Sequence, residues 1–253
     1  MSTAKNPIDR RSRPAKRPLS RQWIVETTIQ IVKREGLAKA TMRRVAAELD
    51  TGQSSLYVYL ANTAELHAAV LDELLAPITA PTPASDGTTR LEWVLEQYQG
   101  ILMEHPGLAR SALVMRPTGS NSLRLFDLVL GVLLDGGMEP GRAAWATDWL
   151  LLLTTASAAE HSTAESVDAD APVDPIAHQN ELAAATRQVD PSTAPNVAAH
   201  ASLILAGSGR ERFRWAIQAL ALGATSNPLP ADLENTSPAE TDVKASASDL
   251  TDH

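Results

Sequence analysis

A chain of 253 residues, 44% of them hydrophobic and none of them cysteine, can build one good core or two small ones, and it can form no disulfide or thiolate metal site. Its net charge of −8 conceals a division, since residues 1–66 hold 12 Lys and Arg against 6 Asp and Glu, while residues 67–253 hold 10 against 24. A basic head on an acidic body fits DNA binding at one end, and no apolar run reaches the roughly 18 residues of a membrane span.

Residues 1–19 place Lys5, Arg10, Arg11, Arg13, Lys16 and Arg17 among prolines and serines. Such a segment cannot pack a core and is expected to be a disordered basic arm, either a solvated tail or one that tracks along phosphates or a minor groove. No apolar run follows its charges, so no secretory signal is expected and the chain reads as cytoplasmic. Residues 20–36 predict a helix capped by Ser20, with Ile24, Thr28 and Ile31 on one face and Gly36 at its end. A second pattern sets Met42, Val45, Ala46 and Leu49 at i, i+3, i+4 and i+7, one apolar stripe. Asp50-Thr51-Gly52 breaks it, with Gly52 expected to stop the helix, and Gln53-Ser54-Ser55 opens another that buries Leu56 and Leu60. Two short helices meeting at a tight polar turn make a helix-turn-helix, which lays its second helix in a DNA groove.

A helix over 63–75, closed by Pro77, Pro81 and Pro83, joins this head to the body. Helical patterns follow over 90–104, 107–115, 121–134 and 140–161, the last carrying Trp145 and Trp149. An acidic loop covers 162–175, weaker helices cover 176–188 and 195–205, and Phe213, Ile217 and Leu220 stripe a final helix over 210–223. Residues 226–253 are acidic and poor in large apolar groups, so a disordered tail is expected there.

These residues resemble the tetracycline-repressor (TetR) family of bacterial transcription regulators. The likeness rests on Thr41, Arg43-Arg44 and Leu56-Tyr57-Val58-Tyr59-Leu60 in the head. In the body it rests on residues 104–109, Arg116-Pro117-Thr118, Gly136-Gly137-Met138 and residues 213–223. Three positions depart from the family pattern: Asp50 stands where Gly is usual, Gly52 where Ser or Glu is common, and Thr63 where a phosphate-gripping Lys is common. The resemblance implies an all-α fold, with a three-helix helix-turn-helix domain over 20–66 and a helical-bundle effector-binding and dimerisation domain over 67–225. It implies a homodimeric repressor that leaves a palindromic double-stranded operator when a small molecule binds. An activator or a nucleoid-type DNA binder without an effector is the alternative. The dimer is expected to form through residues 144–161 and 211–223, with Ile217 and Leu220 in the interface.

Arg43, carried over from the family's second helix, suits a bidentate contact with guanine, or failing that a phosphate. Gln53 at the head of the recognition helix suits adenine. Thr41, Arg44, Ser54, Ser55, Tyr57, Tyr59 and Thr63 are expected to hold phosphates, positioning the helix without reading sequence. No catalytic arrangement is present: the six histidines are scattered, none in metal-ligand spacing, and there is neither a nucleophile elbow nor a phosphate loop. An enzyme, a metal and a cofactor are therefore not expected. For the effector, Tyr98 and Arg116 match the tetracycline repressor and Glu160 falls where the partner subunit's acid would lie. Ala112 replaces its magnesium-binding His, and Val94 and Leu128 replace polar amides. With Trp149 these residues outline either a pocket for a more apolar molecule or plain core.

Overall fold

The computed structural model describes residues 17–80, 86–105, 107–161 and 175–230. Of the arm expected over 1–19, the loop over 162–175 and the tail over 226–253, residues 1–16, 162–174 and 231–253 lie outside them. Among the described residues every regular element is helical.

Helix α1 (Arg21–Glu35) starts where the Ser20 hydroxyl accepts the Trp23 amide at 3.2 Å, and it stops at Gly36, whose φ of 83° suits a residue without a side chain. A 3-10 turn (Leu37–Lys39) leads to α2 (Met42–Glu48) and then to α3 (Gln53–Leu56). Both short helices are held by burial rather than by length, with Ile24, Ile31, Val45, Leu56 and Leu60 almost wholly excluded from water. The turn between them differs from expectation. Asp50 takes the left-handed conformation (φ 49°) and Thr51 N–H bonds back to the Ala46 carbonyl at 3.0 Å, while Gly52 has an ordinary φ of −75°. A short polar side chain tolerates that region, so Asp50 closes the helix in the Schellman manner usually left to glycine.

Helix α4 (Thr63–Leu74) is capped by Asn62 and packs on α1 at one end and on the body at the other. The body comprises α5 (Gly87–Glu104), α6 (Leu108–Val114), α7 (Ser120–Asp135), α8 (Pro140–His161), α9 (Pro175–Gln188), α10 (Pro195–Ile204) and α11 (Gly209–Ser226). Helix α8 is its axle, packing on α5, α6, α7 and α11, whereas α9 and α10 pack chiefly on each other. Two features join α4 to α7. Asp72 Oδ1 accepts from the amide and hydroxyl of Ser122 at 2.8 and 2.6 Å, and Arg124 donates to the carbonyls of Leu75, Ala76 and Ile78 at 3.2, 2.7 and 2.7 Å. A cation on the carbonyls just past the end of α4 fixes the chain where it leaves the helix and complements the helix dipole. A second contact reaches the head directly, because a Cβ on Gly107 (φ 91°) would stand 3.0 Å from the Leu37 side chain.

Residues 17–19 and 226–230, which fall within the two ends expected to be disordered, are described. Arg17 lies 5.4 Å from the Trp23 ring centroid and 3.3 Å from Glu26, and the Leu19 carbonyl is bonded to Tyr59. Beyond α11, Pro228 and Leu229 join Trp145 and Trp149 in lining a groove, and Arg142 donates to the Thr225 carbonyl at 2.8 Å.

Helix α11 is tied to α5 by charge. Glu96 accepts from Arg210 at 3.0 Å and from Arg214 at 2.6 Å, and these bonds hold its carboxyl down from the ordinary 4.5 to about 2. A depressed carboxylate pKa contributes stability above the unfolded value and loses it as pH falls through the folded one. Melting temperature should therefore decline between pH 4.5 and 2 more steeply in the native chain than in Glu96→Gln. Parallel declines in the two proteins would show that the pair contributes nothing.

Candidate functional site

The exposed surface of α2 and α3 carries part of the expected DNA-reading set. Arg43 is exposed and takes no part in the ion pairs around it. Gln53 is exposed and donates from Nε2 to the Tyr57 hydroxyl at 3.0 Å, so the two side chains stand together. Ser54 is exposed and Ser55 half-buried.

Other expected members are engaged within the protein. Thr41 caps α2, its hydroxyl accepting the Arg44 amide at 3.2 Å. Arg44 is clamped by Glu35 at 2.7 Å and Glu48 at 2.8 Å, and Arg34 meets the same Glu48 at 2.8 Å, a four-charge network that fastens α1 to α2. The same bonds raise the Arg44 pKa and lower those of Glu35 and Glu48. Tyr59 is half-buried and donates to the Leu19 carbonyl at 2.9 Å. Thr63 is half-buried at the first turn of α4. The helical count places these residues on the reading surface, but for Arg44 and Tyr59 the partners Glu35 and Leu19 come from α1 and from before it, which no local pattern reveals. Conversely Val58, not expected at the surface, is 80% exposed.

In the body, a cavity of about 180 Å³ lies between α5, α6, α7 and α8, with Tyr98, Ala112, Arg116, Ser122, Phe126 and Thr155 in its wall and Leu75, just past α4, closing one side. The Tyr98 hydroxyl lies 2.8 Å from Thr155 Oγ1, and Thr155 in turn donates to the Leu151 carbonyl, so Tyr98 is the donor of that pair. Burial pushes the Tyr98 phenol above its ordinary pKa, which keeps it a neutral donor. Arg116 is exposed and ion-paired with Asp148.

Three expected pocket residues stand elsewhere. Val94 is wholly buried in the core and Leu128 packs half-buried against it. Trp149 lines the groove between α8 and α11 instead, on the side of α8 that it shares with Trp145 four residues earlier. Glu160, beyond the cavity, is exposed near the end of α8. Sequence reasoning missed Ser122, Phe126 and Thr155, and the Ser and Thr within otherwise apolar helices were the signal. Larger hollows exist: a groove of about 640 Å³ between α8 and α11 lined by Trp145 and Trp149, and one of about 290 Å³ between α5, α7 and α11 without a charged wall residue. Among the described residues no group of three His, Asp or Glu is placed to hold a metal, and no helix is long and apolar enough to cross a membrane.

With this geometry in place, comparison gives the class of protein. The structure of the Streptomyces coelicolor candidate transcription regulator SCO7704 superposes with a TM-score of 0.73 at 46% identity, over 85% of this chain and 98% of that one. The TetR family protein ActR of the same organism, in complex with actinorhodin, gives 0.69 at 27% identity, over 83% of this chain and 98% of that one. The HTH-type transcriptional repressor DrrR1 of Streptomyces coeruleorubidus is 40% identical over 101 residues, 39% of this chain and 37% of that protein, so the match spans little more than a third of the curated relative. No protein-family model matches the chain. The chain belongs to the TetR family of transcription regulators. These relatives are regulators rather than enzymes.

Proposed function

We propose that the chain is a cytoplasmic, homodimeric repressor without catalytic activity, whose two heads, residues 20–66, read the half-sites of a palindromic operator and are released when a small molecule enters the body, residues 67–225. The observation that carries this reading is the placement of α4, which bears the head at one end and leads into Leu75 in the cavity wall at the other. At about 180 Å³ the cavity is smaller than the roughly 300–1,000 Å³ of a typical ligand pocket, so a drug-sized molecule must widen it. Leu75 and Ser122 both line it and both belong to the α4–α7 contact, so widening displaces α4 and with it the head. Release requires the ligand to favour the widened, operator-incompetent state, since equal affinity for both states shifts nothing.

The wall favours an apolar or aromatic molecule with an acceptor or anionic group for Arg116 and an acceptor for the Tyr98 hydroxyl. That ActR is known in complex with actinorhodin supports a bulky organic effector. With Ala112 in place of a metal-binding His, magnesium–tetracycline is expected to bind poorly. Tyr98→Ala and Arg116→Ala should keep operator binding yet respond to effector at least tenfold less sensitively, about 1.4 kcal/mol of lost coupling. Titrating the effector into operator complexes of the three proteins checks this, and full release of both variants would remove the cavity from the account.

The reading as a whole is tested by a mobility shift with the DNA flanking the chain's own gene, repeated against a panel of small molecules that includes actinorhodin. Salt-sensitive binding undone by one of them is the expected result. Binding that no molecule undoes would favour an activator or a nucleoid-type protein. Arg43→Ala should weaken operator binding by about 1–3 kcal/mol and relax preference at one base pair per half-site, whereas loss of a phosphate contact would weaken all sequences alike.

A further inference from the structure

We propose that Val58 reads the methyl group of one thymine in each half-site, an assignment that rests on the DNA-binding reading above. Leu56 and Leu60, two residues to either side, are buried, so the helical turn between them points Val58 away from the head's core, on the side it shares with Ser54 four residues earlier. Val58 is 80% exposed, and its neighbours on the surface, Gln53, Ser54 and Tyr57, are polar. A lone exposed valine on an arbitrary surface would carry no meaning. Here it stands in the turn that directly continues α3, the helix proposed to enter the major groove, where the thymine C5 methyl is the one apolar group that a base edge presents.

The surroundings also fix its direction. Tyr59 N–H closes a tight turn on the Leu56 carbonyl at 2.9 Å, and the Tyr59 hydroxyl holds the Leu19 carbonyl, so the backbone on the C-terminal side of Val58 is anchored. A β-branched side chain on such a backbone has little rotamer freedom to lose on contact. Valine offers neither donor nor acceptor, so facing a cytosine amine or a guanine oxygen it would strip water from a polar group and return nothing. That gives discrimination at a position where Arg43 and Gln53 supply none.

The test uses the full chain and an operator taken from its own flanking DNA, with each thymine of the half-sites replaced in turn by deoxyuridine, which lacks only the methyl. For the native protein one replacement per half-site should weaken binding by about fourfold, the worth of one buried methyl group. Val58→Ala should bind the natural operator more weakly, be indifferent to that same replacement and melt at the native temperature. Val58→Ile should retain the sensitivity. Equal sensitivity of native protein and Val58→Ala at every thymine, or no sensitive thymine at all, would overturn the assignment while leaving DNA binding intact. Failure of the native protein to bind any flanking DNA would instead overturn the reading on which it rests.

Discussion

With aspartate in place of both Trp149 and Leu222, the chain is expected to sediment as a folded subunit of 27.0 kDa rather than a dimer, and to lose operator affinity by on the order of 100-fold or more. Helices α8 and α11 lie side by side and leave Trp145, Trp149, Trp215 and Leu222 in water, the last two 71% exposed. Large apolar groups left exposed on two adjacent helices suit a four-helix interface with a second copy. A carboxylate buried there without a partner costs several kcal/mol, and each dimer would bury four of them. Both residues are exposed in the isolated subunit, so the substitutions should spare its fold, which circular dichroism can verify. Ile217, expected at this interface, is instead wholly buried in its own subunit and lines the hollow between α5, α7 and α11, so Ile217→Asp would unfold the body rather than divide the dimer. Operator affinity falls because the second head then has to bind as a free molecule instead of at the effective concentration that the first one provides. A double variant that still sediments at twice the subunit mass would remove α8 and α11 from the interface.

Leu56→Ala should destabilise the head by about 2–5 kcal/mol, a large share of the roughly 5–15 kcal/mol that holds a typical domain together. Helix α3 has four residues, far too few to persist alone, and it is held in place by Leu56 and Leu60, of which 0% and 1% of the surface remains exposed. Removing three carbons from that anchor leaves a void that the short α2–α3 turn cannot fill. Hydrogen exchange over residues 53–60 should accelerate and sequence-specific binding should be lost, while amides of α5, α7 and α8 keep their protection because α3 packs chiefly on α2. Native operator affinity in this variant would mean that the recognition helix does not depend on Leu56 for its position.

Much of the architecture was legible without coordinates, because helices here begin and end on local signals. Ser20, Pro140 and Gly36 act on neighbours within one turn, and the stripe of Met42, Val45, Ala46 and Leu49 needs only the 3.6-residue period to define a buried face. The exposure of Gln53, Ser54 and Tyr57 was likewise legible, since burial of Leu56 and Leu60 leaves their side of the turn outward. What sequence could not supply was the use of each side chain once distant segments meet. Arg44 and Tyr59 look like phosphate ligands until Glu35, nine residues away, and Leu19, 40 residues away, take their hydrogen bonds. Trp149 looks like pocket wall because α8 is apolar around much of its circumference. A helix without a polar face gives no clue to which side meets which neighbour, and only its packing on α5, α6, α7 and α11 sends Thr155 to the cavity and Trp149 to the outer groove. Periodicity follows from bonds along one chain segment, whereas the choice among several apolar faces is made by the segments that compete to cover them.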